Sequence, residues 1–175
     1  GGARDYRRWG DLLSNARWAK MPISLYGRNA ASGTYGYFKE HVLLGGDYKD
    51  DVKEQPGSSA VVQGVATDRS GVGYSGIGYK TADVRAVPLK VRSDAPAVPA
   101  EAQYAYSGDY PLSRSLLLCM NRQPGKDLDP LRREFIRYIF SRQGQRQVIK
   151  DGYLPVTGLI AREMLAQIEN AEPGK

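Results

Sequence analysis

Ser32-Gly33-Thr34, with Arg28 four positions upstream, is the part of this chain best equipped for chemistry. Two hydroxyl residues suited to capping a helix flank a glycine that lets backbone approach a ligand closely. The first turn of a helix leaves N–H groups without intrahelical acceptors and carries a partial positive charge. An oxyanion satisfies both, so a strand, a short loop of this composition and a helix make a ready anion cradle. Arg28 adds a planar, two-pronged donor that matches tetrahedral oxygens. The competing reading of the same residues is purely structural: Ser32 or Thr34 caps a helix, and Arg28 lies in solvent.

The flanking sequence supplies the elements that must position these groups. Met21-Pro22-Ile23-Ser24-Leu25-Tyr26 alternates in polarity and predicts a strand over 22–26, while Tyr35, Phe38 and Val42 recur at helical spacing and predict a helix over 34–44. Gly45-Gly46-Asp47 marks its end. Residues 3–20 read as a helical or irregular lead-in anchored by Trp9, Leu12, Leu13 and Trp18. A polar connection through Pro56-Gly57 leads to a short helix from Ser58 to Ala66, despite Gly64. Gly71 to Tyr79 predicts a glycine-flanked strand whose tyrosines cover the interior. Val84–Val91 predicts another strand, 93–108 a polar connection, and 110–120 a buried strand. Asp129-Pro130 opens a helix to about Ser141, followed by helices over 143–150, stopped by Gly152, and 159–170. Strands alternating with helices indicate α/β architecture.

Composition narrows the function. The 175 residues suit one domain, or one lobe with an appendage, and their apolar content of 41% is ordinary for a globular protein. No apolar run is long enough to span a membrane. The chain opens on the polar, basic stretch Gly1–Trp9 without an initiator methionine, and is read as a processed or excised piece of a longer protein. The single Cys119 has no internal partner for a disulfide. A formal charge of +6 favours anionic partners. Arg132, Arg133, Arg137, Arg142, Arg146 and Lys150 alternate with Leu131, Phe135, Tyr138, Ile139, Val148 and Ile149, which reads as the wet face of packed helices rather than a nucleic-acid surface.

Several familiar constellations fail. Gly71-Val72-Gly73-Tyr74-Ser75-Gly76 matches the letters of a dinucleotide fingerprint, but no apolar strand precedes it and no helix follows. His41 is the only histidine and has no Cys or paired carboxylate at ligand spacing, so no metal site is expected. Any histidine-assisted nucleophile would have to use that same His41. Asp50-Asp51 reads as a solvated turn, and no phosphate loop of the G-x-x-x-x-G-K-[ST] type occurs. No enzyme apparatus and no cofactor are expected.

Taken in order, Gly27-Arg28-Asn29, Ser32-Gly33-Thr34 and Phe38, Gln63-Gly64-Val65, Gly73-Tyr74 through Gly78-Tyr79, Tyr110-Pro111-Leu112-Ser113-Arg114, and Phe135 with Ser141, Gly144-Gln145 and Gly152-Tyr153 form an ordered set. The set, from about Trp9 to Pro155, resembles the second half of the periplasmic phosphate-binding proteins that serve ABC-type phosphate importers. That resemblance implies the second lobe of a type II periplasmic-binding fold: a mixed sheet flanked by helices, with an anion-binding core over about 9–107. The remainder, about 108–175, would supply a strand and C-terminal helices packing toward an absent first lobe. It implies that Arg28, Ser32, Gly33 and Thr34 bind inorganic phosphate, that membrane subunits of an importer are partners, and that the setting is periplasmic or otherwise extracytoplasmic. The family's first lobe, which carries the carboxylate that accepts a proton from phosphate, has no counterpart in this sequence. A phosphate-sensing or surface-associated module on the same fold is the alternative, and a phosphatase-like enzyme a more distant one.

Overall fold

The computed structural model describes residues 5–123 and 126–169. Two compact units divide the chain, up to Ala100 and from Glu101 onward.

The first unit is built on β1 (Ser24–Arg28), α1 (Gly33–His41), β2 (Lys53–Gln55), α2 (Ser58–Thr67) and β3 (Gly71–Gly73). The three strands form a parallel sheet in the order β2-β1-β3, with β1 in the centre. Arg28 pairs in register with Gln55, and Tyr26 with both Lys53 and Gly73. The strand expected over 22–26 therefore starts and ends two residues later, and Arg28 is its last residue rather than part of the loop. β2 reads as connection because Lys-Glu-Gln has no apolar alternation; it is an edge strand with Lys53 and Glu54 exposed and Gln55 half-buried.

α2 supplies the core of this unit, with Val61 and Val62 buried. Its sequence period made it legible despite Gly64, where a Cβ would lie 2.5 Å from the Tyr26 ring. β3 lies equally close to β1, since a Cβ on Gly73 would meet the Tyr26 carbonyl at 2.7 Å. Tyr26 in turn donates to Asp68 at 3.0 Å. The Ser70 hydroxyl and N–H, with Ser24 and Tyr26 behind them, hold the Asp68 carboxyl well below the usual carboxylate range.

α1 ends at His41, and the chain reverses through Leu44 and Gly45, both at positive φ. In the lead-in, Trp9 and Trp18 meet edge to face at 6.2 Å and the Trp9 indole donates to the Ser70 carbonyl, as anchors should. Leu12 and Leu13 are exposed and anchor nothing.

Two predicted strands do not form. Over 84–91 there is only a single antiparallel bridge, Leu89 with Val98. Pro88 has no N–H to give a ladder. The sheet is consequently all parallel, not mixed. Residues 110–120 lie outside any strand, and Leu116, Leu117 and Leu118 are exposed, Leu117 at 84%. Length and hydrophobicity made that run look like a buried strand, but no described strand lies beside it to complete a ladder.

The second unit contains α3 (Ala102–Ser107), α4 (Pro130–Phe140), α5 (Arg142–Lys150) and α6 (Gly158–Glu169). α3 was missed because it occupies a proline-flanked stretch that reads as connection. Asp129 caps α4 through the Arg132 N–H with Pro130 in the first turn, as its sequence announces. Gly152, at φ +80, stops α5. α6 is described as far as Glu169, and the expected end at Asn170 lies outside the described residues.

The packed apolar face expected for these helices forms only in part, with Ile139 and Val148 half-buried. Ile136 is buried, whereas Leu131, Phe135, Tyr138 and Ile149 are exposed. Leu131, Phe135 and Tyr138 sit at i, i+4 and i+7 on α4, so one whole apolar stripe faces outward.

The motif Ser141-x-x-Gly144-Gln145 is structural. Ser141 both ends α4 and caps α5, accepting from the Gly144 N–H at 3.1 Å. Gln145 donates to the Ile139 carbonyl and accepts from the Val156 N–H, each at 2.8 Å.

Candidate functional site

The crossover β1–α1–β2 joins parallel neighbours, and β2–α2–β3 passes over the central strand to its other side, all three strands running parallel. The N-termini of α1 and α2 therefore emerge at one edge of the sheet, beyond the carboxyl ends of the strands, where open α/β sheets bind ligands. Arg28 stands at that edge, as the last residue of the central strand.

Ser32 is the N-cap of α1 and the one buried polar side chain among the described residues, 8% exposed. Its N–H donates to the Asn29 carbonyl at 3.0 Å, closing the turn that joins β1 to α1. The first intrahelical bond is Gly36 N–H to the Ser32 carbonyl, so Gly33 and Tyr35 have no acceptor for their N–H groups within the helix. The Ser32 hydroxyl oxygen accepts the Thr34 N–H at 3.1 Å. The Thr34 amide is thus engaged by the cap. The Ser32 O–H proton remains able to donate.

Arg28 does not lie free in solvent. Nη1 donates to Ser58 Oγ at 3.0 Å and Nη2 to the Pro56 carbonyl at 3.2 Å. Nε is buried with no acceptor. Both acceptors are neutral, so the guanidinium charge is not offset by an ion pair with them.

A tyrosine relay fixes the backbone beneath it. The Arg28 N–H donates to Tyr74 Oη at 3.2 Å, Tyr74 donates to Tyr48 Oη at 3.0 Å, and Tyr48 donates to the Tyr35 carbonyl at 2.9 Å. Tyr74 also stacks on Phe38 at 4.1 Å, and Tyr35 packs on Tyr48 at 4.4 Å. Burial pushes the Tyr48 phenol above the ordinary tyrosine range, which keeps it a neutral donor. The end of β1 and the first turn of α1 are therefore tied by one continuous set of contacts. Gly27 makes room for it, since a Cβ there would meet Tyr74 Oη at 3.1 Å.

Arg28, Ser32, Gly33 and Thr34, singled out from the sequence, lie on one strand end and the adjoining helix start. Tyr48, Tyr74, Ser58 and the Pro56 carbonyl were not singled out. The Gly73-Tyr74 pair was a visible signal for one of these; Ser58 was visible only as a helix start. Gly71 to Gly76 is no dinucleotide loop, because a single 3-10 turn (Ile77–Tyr79) follows it in place of a helix.

A parallel β–α–β–α–β unit with a helix N-terminus and an arginine at the carboxyl edge of its central strand is an open α/β arrangement, the class of fold that places ligand sites at that edge. The chain belongs to the PBP superfamily, matching the PBP superfamily domain over residues 5–143. It is 47% identical over 168 residues to the phosphate-binding protein PstS of Pseudomonas aeruginosa, covering 96% of this chain and 52% of that protein. The chain therefore spans about half the length of the curated relatives it matches. Among solved structures, one described as a possible phosphate binding protein from Planctomyces limnophilus has a TM-score of 0.68 at 23% identity, over 95% of this chain and 59% of the other. Another, from Clostridium perfringens and solved with bound phosphate, has a TM-score of 0.65 at 23% identity, over 87% of this chain and 58% of the other. Those two likenesses are ones of fold.

Proposed function

We propose that this chain is the oxyanion-gripping half of a solute-binding protein for inorganic phosphate, feeding an ABC-type importer outside the cytoplasm. The observation that carries the reading is Arg28, held at the carboxyl end of the central strand with a buried Nε that lacks an acceptor, one turn before the N-terminus of α1. Arg28, the Ser32 and Thr34 hydroxyls and the Gly33 N–H are the donors assigned to phosphate. The likeness to a phosphate-binding protein over nearly the whole chain supports the choice of anion. The site needs no catalytic step: it binds and releases. No described helix is long and apolar enough to cross a membrane, and the importer's membrane subunits are the partners this role requires.

The same reading accounts for the outward apolar stripe of α4 and for Leu116–Leu118. In a full-length protein these surfaces pack against the other half, whose donors close the site. The chain alone then offers one set of donors to an anion that keeps much of its hydration. Charge-assisted bonds facing water gain little net energy and must also offset the immobilisation of the ligand. The 175-residue chain is expected to bind phosphate at about 1 mM or weaker, roughly −4 kcal/mol. Moderate chloride or sulfate should displace it. Calorimetry in low salt is the test, and micromolar affinity would show that the chain completes a site without another half.

A further inference from the structure

We infer that Ser58 is a positioning residue of the anion site, acting through Arg28: a neutral acceptor that aims the guanidinium without cancelling its charge. This rests on the phosphate-binding reading of Arg28. A guanidinium has five N–H groups in a fixed plane. Ser58 Oγ and the Pro56 carbonyl take one each, from Nη1 and Nη2. With two points of the plane held, its rotation is fixed and the remaining N–H groups keep one direction. One of these is the buried Nε, which has no acceptor in the protein.

Ser58 is itself immobilised. It is the first residue of α2, and its carbonyl accepts from the Ser75 hydroxyl at 3.0 Å. The loop after β3 thus holds the residue that holds Arg28. The N-cap of α2 is Gly57, which offers no side-chain cap, so the Ser58 hydroxyl is not employed as the helix cap. Its hydroxyl oxygen accepts from the arginine instead.

The chemistry of the holder matters. A carboxylate at this place would fix the same plane but would compete with an incoming anion for the positive charge. A hydroxyl orients without that competition. Fixing the fork beforehand also lowers the ordering cost at the moment of binding.

The test is a double-mutant cycle in the 175-residue chain, with inorganic phosphate titrated in low salt and followed by amide chemical shifts. Ser58→Ala should weaken phosphate binding roughly 3- to 10-fold, the worth of one hydrogen bond that orders a charged group. Ser58→Thr, which keeps the hydroxyl, should restore most of it. The unliganded melting temperature should be unchanged in both. In an Arg28→Ala background, Ser58→Ala should cause no further loss, because its effect runs through the arginine. If Arg28→Ala weakens binding but Ser58→Ala does not, or if the two losses add, the positioning role is overturned while the phosphate site stands. If Arg28→Ala itself has no effect, the phosphate-binding reading of Arg28 falls, and this inference with it.

Discussion

Arg28→Ala is expected to weaken phosphate binding roughly 10- to 100-fold, the value of a two-pronged charged contact of about 1.5–3 kcal/mol. From a starting affinity near millimolar this appears as a titration that no longer saturates. Arg28→Lys should recover only part of the loss, since an ammonium lacks the planar fork. The stability of the unliganded protein should hardly move. Arg28 makes two hydrogen bonds to neutral acceptors, yet it buries Nε without one. A buried donor without an acceptor costs about 1–3 kcal/mol, so truncation removes a liability together with its contacts. A chain that melts much earlier after Arg28→Ala would identify the arginine as structural, and its place in the site would be lost.

Gly144→Ala is expected to have the largest effect on stability. An added Cβ would lie 2.8 Å from the Ile139 carbonyl and 3.0 Å from Ile139 Cα, and closer still to the Tyr138 carbonyl. All three are backbone atoms at the end of α4, so no side chain can rotate away. Relief requires moving α5 from the junction that Ser141 and Gln145 fasten. A cost of roughly 3 kcal/mol or more follows for such an overpacked contact, lowering the melting temperature of a unit this size by more than about 10 °C. Gly36→Ala is the control. Gly36 lies inside α1 with nothing near its Cβ position, so alanine there should stabilise by up to about 1 kcal/mol. Thermal melts of both variants decide the matter; a Gly144→Ala protein as stable as the parent would refute the packing argument.

The contrast between those glycines shows what was legible beforehand. The strand–loop–helix around Arg28 could be read because its signals are local: alternation in 22–26, a capping serine, helical spacing after it. α2, α4 and α5 were legible for the same reason. β2 was not, because a short edge strand owes its existence to the neighbour it pairs with, not to its own Lys-Glu-Gln. The run from Leu116 to Leu118 misled in the opposite direction, since its composition suits burial that the described residues do not provide. Leu131 and Phe135 carry the same lesson on α4. Within the site, the reach of Arg28 to Ser58 and Pro56, and the relay through Tyr74 and Tyr48, span dozens of residues. Such contacts exist only once β1, β2 and β3 are side by side. The capture of the Thr34 N–H by Ser32 is local, and the N-cap preference of serine already implied it.

The most direct measurement is a phosphate titration of the isotope-labelled 175-residue chain in low salt, read amide by amide. Binding at the start of α1 predicts saturable shifts at Ser32, Gly33, Thr34 and Tyr35 and at the Arg28 Nε–H, with α5 and α6 unmoved. The same shifts should lose their saturation in Arg28→Ala. Saturable shifts centred on any other surface, or a first turn of α1 that stays silent while phosphate binds, would contradict the account.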